Sequence, residues 1–134
     1  QVSVFDALSR QLLTSFSAYA QDFLGGVRVA AGDLTGDGRA EVVTAPGFGG
    51  GPDVRAFSVD TATNSIVKVA GYYAMDPNFY GGLFVSVGDV TGDSTPEIVI
   101  GAGPTGGPRV DVFTAAGVSL TSFYAYGPTF NGGV

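Results

Sequence analysis

Two nine-residue stretches concentrate the side chains that could do chemistry: Asp33-Leu-Thr-Gly-Asp-Gly-Arg-Ala-Glu41 and Asp89-Val-Thr-Gly-Asp-Ser-Thr-Pro-Glu97. Each places side-chain oxygens at positions 1, 3, 5 and 9, with Gly at position 4, and the first also has Gly at position 6. Asp33, Asp37, Glu41, Asp89, Asp93 and Glu97 are six of the chain's twelve carboxylates, and Thr35 and Thr91 add a hydroxyl to each stretch. A hard cation such as Ca²⁺ takes six to eight oxygens, which a tight loop supplies by alternating ligands with turn-permissive residues. Carboxylates crowded this closely repel one another unless a cation lies between them. The spacing therefore predicts two Ca²⁺ loops. The same residues also suit Asx- and Thr-type turns whose oxygens cap backbone amides without any metal. An EF-hand is excluded, because its terminal Glu falls at position 12 between helices.

Other chemistry finds less support. Gly101-Ala-Gly-Pro-Thr-Gly106 matches G-x-G-x-x-G, but a strand-like Arg-Val-Asp-Val-Phe follows where a dinucleotide site needs a helix. With no His and no Cys, the commonest general base and the usual zinc and thiolate ligands are missing, and no clustered Lys activates a hydroxyl. The expectation is a protein that is not an enzyme. Tyr73, Tyr80, Tyr124 and Tyr126 alternate away from Phe16, Tyr72 and Phe123, which are expected to fill space between repeats. The four tyrosines are the candidate ligand or partner surface.

Composition sets outer bounds. A length of 134 residues is one domain's worth of chain. A net charge of −6, with the six cations dispersed, argues against a nucleic-acid partner. No stretch approaches the length of a membrane-spanning helix. The chain begins at Gln1 in the middle of a pattern, with no signal peptide or initiator Met, as expected of a processed or excised segment.

The loops must be positioned by something, and internal repetition says by what. Aligning them gives a period of 56, which also carries Val54-Arg-Ala-Phe57 onto Val110-Asp-Val-Phe113; Val2-Ser-Val-Phe5 lies 52 residues before Val54. Phe16-Ser-Ala-Tyr19, Tyr72-Tyr-Ala-Met75 and Phe123-Tyr-Ala-Tyr126 each lead to an aromatic and then Gly-Gly. The unit is about 51–56 residues long and reads as four short strands. Strand a, near 26–33 and 82–89, alternates, with Val27, Val29 and Ala31 on one face. Strand b, near 41–46 and 97–102, is continuously apolar and expected to be buried on both faces. Strand c falls at 2–5, 53–58 and 109–114, and strand d at 11–18, 65–73 and 118–125. No 3.6-residue periodicity persists anywhere. This predicts an all-β chain of β-propeller-type blades, about two and a half of them: a partial blade over 1–25, a full blade over 26–81, and a blade with the start of another strand over 82–134. So few blades leave apolar faces exposed, which implies further repeats or self-association.

The run Gly-Asp-x-Thr-Gly-Asp-Gly-x-x-Glu, then an apolar strand, then Ala-Pro-Gly-Phe-Gly-Gly-Gly-Pro, resembles the FG-GAP/VCBS-type repeat of integrin-α-like β-propellers. The resemblance covers essentially the whole chain. It implies Ca²⁺ held by Asp33, Thr35, Asp37, the Arg39 carbonyl and Glu41, and by Asp89, Thr91, Asp93, the Thr95 carbonyl and Glu97. It also implies an extracellular or cell-surface setting and a structural, adhesive or assembly role. Thr at position 3, Glu at position 9, and Ser94 and Pro96 in the second loop depart from the family pattern, and the second site is expected to be the weaker. Some propellers of this type are lectins, so a carbohydrate ligand is the runner-up, and a non-catalytic repeat of a larger secreted enzyme the third reading.

Overall fold

A computed structural model describes residues 1–134. The chain is all-β, with ten strands and no helix, so no helix is long and apolar enough to cross a membrane. The first two strands, β1 (Val2–Phe5) and β2 (Leu12–Phe16), form an antiparallel hairpin. Strands β3 (Val27–Gly32), β4 (Glu41–Pro46), β5 (Asp53–Asp60) and β6 (Ser65–Tyr73) form one four-stranded sheet in chain order. Strands β7 (Leu83–Gly88), β8 (Glu97–Ala102), β9 (Arg109–Phe113) and β10 (Ser119–Tyr124) form a second. These are two full blades and a partial one, and every strand falls where alternation and apolar runs put it.

Local chemistry closes the hairpins. The Asp6 carboxylate accepts the amides of Leu8 and Ser9 between β1 and β2, and Asp60 does the same for Ala62 and Thr63 between β5 and β6. Those bonds favour the charged form and lower the pKa of both acids, led by the Ser9 amide at Asp6 and the Ala62 amide at Asp60. All three c–d pairs carry a bulge opposite the same Phe, at Phe5, Phe57 and Phe113, with Leu13, Val69 and Leu120 as the extra residues. An extra residue sharpens the local twist, so each blade bends at the same point.

Register fixes which residues meet. Val42 and Thr44 pair with Phe57 and Arg55 and look back towards the β1–β2 hairpin, while Val43 and Ala56 look forward to the next blade. One blade later Ile98 and Ile100 pair with Phe113 and Asp111 and look back in the same way. The main core lies between the two full blades: Val43, Ala45, Val54 and Ala56 of the first meet Leu83, Ile98, Ile100 and Phe113 of the second. Ile98 and Ile100 have no exposed surface, and burial of that kind stabilises by about 1.5–3 kcal/mol per side chain. A smaller core joins Val2 and Ala18 to Phe57, with Phe16 beside it.

Strand a of the first blade differs from its sequence reading in one respect. Val29 is 55% exposed although it alternates with Arg28 as a buried residue should. Its face looks towards the hairpin, which brings only strands c and d and has no strand a to set against β3. The counterpart face on β7, with Leu83, Val85 and Val87, packs on the first full blade.

Candidate functional site

Both acidic loops join the first two strands of a blade, where chain reversal forces the backbone into tight turns. Asp33 caps the turn: its Oδ1 accepts the Gly36 and Asp37 amides at 2.7 and 3.1 Å, and its Oδ2 the Gly38 amide at 2.8 Å. Asp37 Oδ1 accepts the Arg39 amide at 2.8 Å. Glu41, at the start of β4, turns back so that Oε2 accepts the Leu34 and Thr35 amides at 2.9 and 3.2 Å. The second loop repeats the scheme bond for bond. Asp89 takes the amides of Gly92, Asp93 and Ser94, Asp93 that of Thr95, and Glu97 those of Val90 and Thr91. The Thr91 hydroxyl adds a long bond of 3.4 Å to Glu97 Oε1. Amide donors, led by that of Ser94, stabilise the carboxylate form and hold Asp89 below the usual range.

As a donor set the loops suit a hard cation in kind, being oxygen throughout. In arrangement, no three acidic side chains converge on one point in the way a metal cluster requires. Each carboxylate leans on amides of its own loop. Glu41 and Glu97 stand apart from the others: they are buried, at 1% and 4% exposure, and no cationic side chain pairs with either. Arg39 turns outward towards Asp60 rather than into the loop. The two loops also lie side by side, with Asp33, Thr35 and Gly36 facing Ser94, Thr95 and Pro96 across a cleft.

Of the four candidate tyrosines, all exposed, the structure brings two together. Tyr73, at the end of β6, and Tyr80, in the linker to β7, line a cleft of about 390 Å³ with Tyr19, Phe23, Asp53 and Arg55. Gly49, Gly50 and Gly51 form its backbone wall. The Arg55 guanidinium sits 4.7 Å from the centre of the Tyr19 ring, donates to Asp53 Oδ2 at 2.6 and 2.8 Å, and reaches the Ala18 carbonyl. Tyr19 donates its own hydroxyl to the Asp53 carbonyl at 2.7 Å. Burial raises the pKa of that phenol, while the Thr44 hydroxyl opposes the rise. Tyr124 and Tyr126 lie apart from this cleft, Tyr124 at the end of β10 and Tyr126 edge-on to Phe130.

Sequence reasoning missed Asp53 and Arg55 as part of this cleft. The one signal was local: an acid and an Arg two residues apart on a strand share a face. One repeat later the pair is inverted as Arg109 and Asp111, while Tyr19 and Tyr80 correspond to Met75 and Asn131. The aromatic cleft therefore belongs to the first interface alone. Comparison with known protein families, with curated proteins and with solved structures gives no match.

Proposed function

We propose that this chain is a non-catalytic segment of FG-GAP-type β-propeller blades, working outside the cell as a structural, adhesive or assembly module whose a–b loops take Ca²⁺. The observation that carries the calcium reading is the pair of buried glutamates without a cationic partner. A buried charge is costly unless it is paired and hydrogen-bonded; Glu41 and Glu97 have loop amides, and Glu97 the Thr91 hydroxyl, but no positive charge beside them. Asp33, Thr35, Asp37, the Arg39 carbonyl and Glu41 would hold the ion in the first loop. In the second, Asp89, Thr91, Asp93, the Thr95 carbonyl and Glu97 would do so. A cation bound there would offset the charge of the loop carboxylates and tie the a–b turn to the start of strand b.

The test is a thermal melt in millimolar CaCl₂ against the same buffer with EGTA. Free ion at 100 times Kd adds about 2.7 kcal/mol per site, and the melting point should rise by several degrees. The rise should be absent with Mg²⁺ and should shrink in Asp33→Ala. Coincident melts would remove the ion and leave two amide-capped turns.

A second reading has its own observation, the cleft holding Tyr19, Tyr73 and Tyr80. Flat aromatic rings beside an Asp–Arg pair present both a stacking surface and hydrogen-bonding groups to a pyranose ring. On this reading a glycan panel gives saturable binding that Tyr73→Ala abolishes and Tyr124→Ala leaves intact. Equal loss in both variants would place the sugar elsewhere.

A further inference from the structure

The aromatic cleft at the first interface spends most of its polar groups on itself. Arg55 gives Nε and one terminal nitrogen to Asp53 Oδ2 and the other terminal nitrogen to the Ala18 carbonyl, clasping the segment after β2 to β5. The Tyr19 hydroxyl goes to the Asp53 carbonyl, the Gly49 amide to the Tyr80 carbonyl and the Gly50 amide to the Gly47 carbonyl. Four groups are left for a ligand: the Tyr73 and Tyr80 hydroxyls, the Gly51 amide and Asp53 Oδ1, none with a partner in the chain. Beside them are the rings of Tyr73 and Tyr80, 62% and 57% exposed, with Pro46 and Pro77.

This rim of a blade faces solvent even when the blade before it is whole. At the interface between the two full blades, Thr105, Arg109 and Tyr124 stand where Gly49, Asp53 and Tyr73 stand here. A complete first blade precedes them and all three remain exposed, Tyr124 at 60%. Only the first interface adds the rings of Tyr19 and Tyr80 to that open rim. Phe48, next along the chain from Gly49, is exposed as well, although its backbone lies against Gly82 of the linker to β7. Exposed apolar side chains gathered in one place mark a binding surface.

The free groups are chiefly donors set among flat rings. A pyranose brings several hydroxyl protons to place, and apart from the phenol oxygens this cleft has one carboxylate oxygen to receive them. A proline-rich segment brings the opposite: carbonyl acceptors, no amide proton at any proline, and flat pyrrolidine faces for aromatic rings. Its polyproline-II form exists before binding, so little order is lost on docking. We infer that the cleft docks a proline-rich segment of a partner protein in polyproline-II conformation. Its prolines lie against Tyr73 and Tyr80, and the two phenols and the Gly51 amide donate to its carbonyls. The inference rests on the reading of the chain as an adhesive module and names the chemistry of its partner; a sugar in the same cleft is the competing outcome. Asp53 and Arg55 compensate each other, so the contact draws little on charge.

Fluorescence anisotropy of a labelled oligoproline titrated with the 134-residue chain tests this. The oligoproline should bind saturably, and a peptide with glycine at every second position should bind at least about tenfold more weakly. Tyr73→Ala and Tyr80→Ala should each weaken binding by at least about tenfold, the scale of truncating an anchoring side chain. Tyr73→Phe keeps the ring and should lose less, and Tyr124→Ala, outside the cleft, should lose nothing. Raising the salt above physiological strength should change the affinity by less than about twofold. No saturation at millimolar peptide overturns the inference. So does equal affinity for the glycine-interrupted peptide, or indifference to both alanine variants. Binding of a glycan that needs Tyr73 and that oligoproline does not displace gives the cleft to a sugar, and overturns it too. Anisotropy reports on the cleft and the calcium melt on the loops, so each reading can fail without the other.

Discussion

Position 6 of the acidic loop shows what a single Cβ costs. Gly38 holds φ at +84° in the first loop, and Ser94 is held at +70° in the second because its amide must still reach Asp89 Oδ2. The same exchange recurs after strand b, where Gly49 at +87° becomes Thr105 at +75°. Left-handed backbone is strained for any side chain and most of all for a β-branched one. Ser94→Gly should therefore raise stability by about 0.5–1 kcal/mol, after the extra freedom of Gly in the unfolded chain is subtracted. Thr105→Gly should gain at least as much, and urea melts of the two variants read both values. A loss of stability in either would mean that the side chain makes a compensating contact. At this scale the acid spacing was legible because carboxylates have few uses in a nine-residue loop. Which oxygen meets which amide was not, because Asx capping and metal ligation ask for the same residue types at the same positions. The aromatic cleft was illegible for another reason: Tyr19, Arg55, Tyr73 and Tyr80 come from four separate parts of the chain.

Strands were the most legible level, since alternation, apolar runs and repetition agree on their bounds. Their faces were less so, because the burial of a strand depends on the blade beside it; Val29 alternates correctly and still meets solvent. What sets the distance between blades is backbone approach. At Gly82, with φ at +74°, a Cβ would lie 2.5 Å from the Gly47 carbonyl carbon and 2.6 Å from the Phe48 amide nitrogen of the preceding blade. The obstacle is main chain, so no side-chain rotation relieves it. Gly82→Ala should cost at least about 2 kcal/mol, from strain at positive φ together with displacement of the b–c connection. Chemical denaturation measures the loss. A cost below about 0.5 kcal/mol would show that the blades slide past one another freely. Gly133, at +90°, approaches Gly103 and Pro104 in the same manner, so the linker geometry is renewed at the end of the second full blade.

For the molecule as a whole, the blade count was legible from the period, whereas the chemistry between blades emerges only from register. Register places a different residue at one recurring point of each leading face. It is Ser3 on the hairpin. On the first full blade it is Arg55, which reaches back to the Ala18 carbonyl; on the second it is Asp111, buried with one carboxylate oxygen unpartnered. The blades therefore share a fold but not a key. A chain with its two full blades transposed would keep every strand, turn and acidic loop. It would nevertheless set Asp111 against the aromatic wall made for Arg55, and leave a guanidinium where an acid had been accommodated. Order along the chain is thus written into its joints, and this repeat is a sentence rather than a list: its words cannot be permuted without loss of sense.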